Sequence, residues 1–268
     1  LETCREQVPA MARVYVSRLL LGLLESAELP FGPSVADTVS DAPMKALDAP
    51  RPVFSVVMPV HDKERHVEAA VRSVLRQSFG DFELIVVDDA STDGSRAIVA
   101  SIQSERMRVL ERDTPGPGGY AARNLAISVA RGRWLTFLDA DDSWVPERLE
   151  RLWHAIQAYP DARLHACGWF IATREGGRRP NKYSRRHGAK GPHALTLEDY
   201  LRTFRKNEMP IHTDTMAIRR DVLGDQPAVF PADLEGRRGG DVYAWLRLLV
   251  REKRLVWSPH LGSCYFVD

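Results

Sequence analysis

The stretch WLTFLDADDSWVP (134–146) decides how the chain is read. Its first half is an apolar run of strand length, and its second half sets Asp139, Asp141 and Asp142 within four residues. Crowded carboxylates repel one another, so a fold that gathers them at a strand end leaves them in water or gives them a cation. Trp134 to Leu138 reads as a buried strand and Pro146 as the N1 residue of a helix with Leu149, Leu152, Trp153 and Ile156 on its inner stripe. Two acids one residue apart at such a strand end suit a hard divalent cation. Solvated turns are equally rich in Asp, so the surrounding elements have to decide.

Upstream, VFSVVMP (53–59) and FELIVV (82–87) are continuous apolar runs that alternate with helical patterns at about 66–78 and through Ile98 and Ile102. A short strand at Arg108–Leu110 and a helix from Tyr120 to Ala130, opened by a Gly-rich turn, complete the series. Alternation of this kind predicts an α/β fold, with a mainly parallel central sheet and helices on both faces. Ligands of such sheets sit beyond the carboxyl ends of the strands. That end receives Pro59, Val60 and His61 from the first strand, Asp88 and Asp89 from the second, and Asp139, Ala140, Asp141 and Asp142 from the fourth.

The 268 residues are 44% apolar and 27% charged, enough for a sizeable core, and the net charge of +1 gives no electrostatic reason to expect nucleic acid as a partner. Cys4, Cys167 and Cys264 are scattered and odd in number, which points to a reducing, cytoplasmic setting. Leu1 stands where an initiator Met would, as in a piece of a longer protein. Residues 8–28 carry an amphipathic helical pattern, read as packing on a neighbouring domain, with a membrane-surface or partner contact as the other use. Five prolines between Pro30 and Pro52 mark a linker, so residues 1–50 form an extension and the main domain starts near Arg51. After a strand at 163–172, the segment 174–193 has seven Lys or Arg against one acid and is expected to be a loop, solvated or closing over a polyanion. Thr196 is expected to cap a helix to about Arg205, Thr213–Ile218 to form a strand, Asp241–Arg251 a helix, and the tail one or two short strands.

The order PVHDKE (59–64), VVDDASTDGS (86–95), GGYAARNLAI (118–127), FLDADDSWVPERL (137–149) and GGDVYAWLRL (239–248) resembles the family 2 glycosyltransferases with the GT-A fold. The resemblance runs from about Val53 to the C-terminus. It implies a nucleotide-sugar half at 51–172 and an acceptor half at 173–268. By the same resemblance Pro59, Val60, His61, Asp88, Asp89, Arg123, Asp139 and Ala140 would hold the donor, with Asn124 close by. Asp141, with Asp139, would ligate Mn2+ or Mg2+, while Asp142, Trp144 and His212 would face the acceptor. Asp241 would be the base of an inverting transfer from a nucleoside-diphosphate sugar, by default a UDP-sugar, to a hydroxyl of a glycan or other acceptor. Gly240 departs from the pattern, since many relatives carry an acid there; Asp233 and Glu235 are the reserve bases.

Three rival readings remain. The turn Gly116 to Ala121 satisfies the G-x-G-x-x-A spacing of a dinucleotide-binding oxidoreductase, but it comes in the third βα unit and five residues after its strand. A nucleotidyltransferase would carry a glycine-rich loop after the first strand, which PVHDKERH lacks. A non-catalytic module that binds nucleotide sugar or glycan would have no need of intact acids at 139, 141 and 241.

Overall fold

The computed structural model describes residues 51–173, 175–224, 228–231 and 239–267. The expected helix at 8–28, its linker, Asp233 and Glu235 lie outside them.

The first four strands are β1 (Phe54–Val60), β2 (Phe82–Asp89), β3 (Met107–Arg112) and β4 (Trp134–Phe137). They pair in parallel in the order β3-β2-β1-β4. Helices α1 (Val67–Leu75), α2 (Ser95–Ser101) and α3 (Tyr120–Val129) connect them. All eight residues of β2 are buried, as is every residue of β1 except Pro59. The reason is a core on each face. Val56, Met58, Leu84 and Val86 pack with Val67 and Val71 of α1 and with Leu149 and Leu152 of α4 (Arg148–Ala158). Val57, Ile85, Val87 and Phe137 pack instead with Ala122 and Ala126 of α3 and with Trp245 of a later helix. Apolar side chains are needed on both sides of the pleat, which is why these strands are continuous apolar runs. The strand order reverses between β1 and β4, and a crevice at such a switch point is where open α/β sheets bind ligands.

Beyond β4 the sheet changes character, and the expectation of a mainly parallel sheet fails there. β5 (Ser143–Trp144), β6 (Leu164–Ala172), β7 (Arg178–Pro180), β8 (His193–Thr196), β9 (Ala217–Arg219) and β10 (Arg254–Phe266) complete a ten-stranded sheet among the described residues. β9 lies antiparallel to both β4 and β6; β7 is antiparallel to β6, and β5 and β8 are antiparallel to β10, so that β6 and β10 form the one parallel pair of this half. Antiparallel neighbours need no long crossover, so short strands of mixed composition suffice. The remaining helices are α5 (Lys182–His187), α6 (Leu197–Arg205) and α7 (Gly240–Glu252).

The basic segment expected to be a loop holds β7, α5 and the start of β8. Two buried residues fold it. Asn181 caps α5 by accepting from the Ser184 N–H at 3.1 Å and donates to the Met209 carbonyl at 2.9 Å. The Tyr183 ring packs edge-on against Trp257 at 5.0 Å, and its hydroxyl meets His193 Nε2 at 2.8 Å. Thr196 caps α6 as expected, in a reciprocal pair with Asp199. Residues 213–215 form a 3-10 turn rather than a strand, and the tail is the single long strand β10. No helix of the described residues is long and apolar enough to cross a membrane.

Candidate functional site

The rim begins where β1 and β2 end. Pro59 is half-buried, Val60 buried and His61 exposed. His61 Nδ1 donates to the Asp89 carbonyl at 2.8 Å, which fixes its tautomer. The Asp89 carboxylate is buried, ion-paired with Arg112, and accepts from the Gly116 N–H at 3.0 Å. It therefore ties the ends of β2 and β3 to the Gly-rich turn. Asp88 accepts from the Ser91 N–H at 3.3 Å, and its second oxygen is buried without a hydrogen-bond partner.

The acids after β4 divide into three environments. Asp139 is ion-paired with Arg123, whose guanidinium also donates to the Gly118 carbonyl at 2.6 Å and lies 5.4 Å from the centre of the Phe230 ring. Burial lifts the Asp139 carboxyl above its ordinary value despite the pull of Arg123. Ala140 is buried beside it. Asp141 stands further out and meets Lys63 Nζ at 2.6 Å. Asp142 turns inward instead, only 3% exposed, and accepts from the Phe266 N–H at 3.0 Å.

Facing Asp142 are His212 and Asp214. One ligating atom from each of Asp142, His212 and Asp214 lies within 4.8 Å of the others. Burial, then the neighbouring Asp214 carboxylate, push Asp142 up to about 12. Burial acts on Asp214 in the same sense, yet His212 at 3.1 Å, with the donors around it, holds its carboxyl below the ordinary value. For His212 burial opposes charge, and Asp214 more than offsets it, so the imidazole is raised. Asp214 Oδ1 also accepts from the Asp139 N–H at 2.9 Å, which couples the cluster to the acids after β4.

Trp144 and Arg148 support this arrangement from below. The Trp144 indole donates to the Asp214 carbonyl at 3.1 Å, and the fully buried Arg148 donates to the same oxygen at 3.0 and 3.1 Å while its guanidinium lies 4.2 Å from the Trp144 ring centre. Trp144, expected on the acceptor side, is thus buried and holds Asp214 in place.

Asp241 stands at the first turn of α7, and Thr213 Oγ1 donates to it at 3.4 Å. Asp139, Arg123, Gly118, Tyr120, Thr213, Gly239 and Asp241 together line a cavity of about 250 Å³. That is below the roughly 300–1,000 Å³ of a complete small-ligand site. The two stretches singled out in the sequence therefore meet. Asn124 does not line the cavity; its side chain is engaged with the backbone of Val229 and Phe230 at 2.7–3.1 Å.

The family model for glycosyl transferase family 2 matches residues 55–225, well over half of the chain. The chain belongs to that family. Among relatives of this family member is a putative teichuronic acid biosynthesis glycosyltransferase, TuaG of Bacillus subtilis, 40% identical over 103 residues, which are 38% of this chain and 40% of TuaG. Another is WfgD of Escherichia coli, a UDP-Glc:alpha-D-GlcNAc-diphosphoundecaprenol beta-1,3-glucosyltransferase, 38% identical over 98 residues, 37% of this chain and 38% of WfgD. The matched segment thus spans about two fifths of these relatives' length. In fold the chain is similar to S. aureus TarS 1-349 crystallised with UDP-GlcNAc, with a TM-score of 0.66 and 22% identity over 80% of this chain and 58% of that one. These findings agree with a GT-A-type architecture whose sheet is mixed.

Several residues around the site carry little signal in the sequence. Asp214 was readable only as the second member of the His-x-Asp pair in IHTDT (211–215), a spacing that carries little weight in a polar turn. Lys63, Arg112, Tyr120 and Arg148 had no signal of their own, because their partners lie far away in sequence. Gly240, which departs from the family pattern, has a local reason. A Cβ there would lie 2.6 Å from the Tyr120 ring.

Proposed function

We propose that this protein is a metal-dependent, inverting transferase that moves a sugar from a nucleoside-diphosphate sugar, a UDP-sugar by preference, to a hydroxyl of a glycan or other acceptor. The single observation that carries this reading is that Asp139 and Asp241, from opposite halves of the chain, line one cavity. Support for UDP comes from the relatives, since WfgD is named for UDP-Glc and TarS was crystallised with UDP and with UDP-GlcNAc. In this reading residues 51–172 hold the donor through Pro59, Val60, His61, Asp88, Asp89, Arg123 and Asp139. Residues 173–268 hold the acceptor, and the location is cytoplasmic.

The residues present fit a divalent cation. Asp142 Oδ2 is buried without a hydrogen-bond partner, and Asp214 Oδ2, 3.1 Å from His212 Nδ1, lies in the same cluster. Two carboxylates suit Mg2+ or Mn2+, and the imidazole tips the set toward Mn2+. Asp142, His212 and Asp214 would hold the ion from the protein side. Asp139 and Asp141, the ligands implied by family resemblance, are each ion-paired through one oxygen, with Arg123 and Lys63. A bound cation neutralises the charge that develops on a diphosphate leaving group.

Asp241 would accept the proton of the attacking hydroxyl. Its Thr213 contact keeps one carboxylate oxygen oriented, and its place in the first turn of α7 puts the helix N–H groups behind it. The test is a panel of nucleoside diphosphates and nucleotide sugars, with and without Mn2+ or Mg2+, read by melting temperature and by UDP release. Stabilisation by UDP or UDP-sugars that needs the metal, together with release of UDP, is the expected result. Stabilisation without turnover would indicate a binding module, and no response to any nucleotide would overturn the reading.

A further inference from the structure

We infer that Tyr120 is a positioning residue for Asp241, and that Gly118 and Gly240 are the two walls of the slot that receives its ring. The inference rests on the assignment of Asp241 as the proton acceptor. Helix α7 starts without a side-chain cap of its own, since Gly239 precedes it in the left-handed region at φ 92°. Its first N–H, that of Gly240, donates to the Tyr120 hydroxyl at 2.8 Å. The cap thus comes from another helix, α3, across the cavity.

The ring has little freedom. A Cβ at Gly118 would lie 2.7 Å from it and a Cβ at Gly240 2.6 Å, so the ring is held between two backbone segments at positions where no side chain fits. Gly118 also has φ 60°, which favours glycine on its own account. The ring stacks on Phe230 at 6.1 Å and 7°, and Phe230 is pinned through its backbone to Asn124 of α3. Burial, then the charge of Asp241, keep the phenol protonated. Because the hydroxyl accepts from Gly240, its own proton remains available to donate into the cavity that Tyr120 and Asp241 line together.

The consequence is a continuous linkage from the donor acid to the base. Asp139 pairs with Arg123, and Arg123 donates to the Gly118 carbonyl. Gly118 walls the Tyr120 ring, and Tyr120 holds the residue before Asp241. Tyr120 therefore fixes the distance between the two chemical halves of the site. Displacing a reacting group by about 1 Å costs on the order of a hundredfold in rate.

The experiment uses Tyr120→Phe, which keeps the ring and removes the hydroxyl, and Gly240→Ala, which keeps the hydroxyl and pushes on the ring. Both are compared with Asp241→Asn and wild type for UDP release from the UDP-sugar that turns over, for UDP affinity with Mn2+, and for melting temperature. For Tyr120→Phe we expect kcat to fall roughly ten- to a hundredfold. UDP affinity should stay within about twofold, and Gly240→Ala should show the same split between turnover and binding. Wild-type kcat in Tyr120→Phe, or an equal loss of kcat and UDP affinity, would overturn the positioning role. If Asp241→Asn kept full turnover, the base assignment itself would fail. An inactive Asp241→Asn beside a fully active Tyr120→Phe would sink this inference alone.

Discussion

The two halves of the sheet solve the same burial problem with different grammars. β1 to β4 pair with one another in parallel, and β1, β2 and β4 are covered on both faces and largely apolar, while the edge strand β3 is partly exposed. From β5 to β10 most pairings are antiparallel, strands as short as Ser143–Trp144 take part, and buried polar groups such as Asn181 and Asp214 do the joining. Hydrophobic burial dominates the first half, with buried polar groups such as Glu83 and Asp89 at the strand ends. The second half depends on particular polar contacts, and it is there that the Asp142–His212–Asp214 cluster and Asp241 sit. Stability and chemistry are therefore expected to respond differently to substitution in the two halves.

The sharpest way to break that contrast is in the polar half. Asp214→Ala removes a candidate cation ligand and frees both His212 and the Asp139 N–H. Metal-dependent UDP affinity, measured by calorimetric titration with Mn2+, should fall by about a hundredfold, at the upper end of what lost support around a metal costs. An unchanged affinity would place the cation elsewhere, with Asp139 and Asp141 as its holders.

In the parallel half the corresponding test is Glu83, which accepts from Ser55 Oγ at 2.6 Å and the Arg131 N–H at 2.7 Å and is ion-paired with Arg108 and Arg131. It lies at the opposite end of the strands from the rim. Glu83→Ala leaves those donors unmatched and should cost about 1–3 kcal/mol in urea unfolding with UDP affinity intact. Burial raises the Glu83 carboxyl, but Ser55, the Arg131 N–H and the two guanidinium groups outweigh it, and the net shift is downward. A depressed folded-state value means that its contribution is present above the unfolded value of about 4.3 and is lost as pH falls through the folded one. The gap between wild type and Glu83→Ala should accordingly close in acid. A gap that widened in acid would contradict the assignment.

The smallest effect is expected at the join. Lys63 and Asp141 form a half-exposed pair, and such pairs are worth about 0–1 kcal/mol. Lys63→Met should therefore raise apparent Mn2+ affinity by no more than about fivefold if Asp141 takes part in holding the ion. A fall in affinity on this substitution would show that Lys63 assists nucleotide binding instead.

The same contrast explains what could be read from the sequence. β1, β2 and β4 were legible because burial on both faces leaves an uninterrupted apolar signature, and the acids at 139, 141 and 142 were legible because they end such a run. In the antiparallel half the strand at 163–172, the helices after Thr196 and from Asp241, and a tail strand are legible, but β5, β7 and β8 are not, for a physical reason. One-sided or very short strands carry no continuous run, and the segment 174–193 looked unstructured because its order comes from two residues, Asn181 and Tyr183, whose partners are remote. Asp214 was missed on similar grounds. Apart from His212, two positions before it, its contacts are to Asp139, Trp144 and Arg148, all more than sixty positions away.

The central claim is that acids from the two halves share one site but have separate tasks, and Asp241→Asn tests it most directly. UDP affinity in the presence of Mn2+ and UDP release should be measured on the same preparation. The account predicts binding within about twofold of wild type and turnover reduced by roughly a hundredfold or more, the range a general base contributes. Turnover at the wild-type rate, with binding equally unaffected, would contradict it.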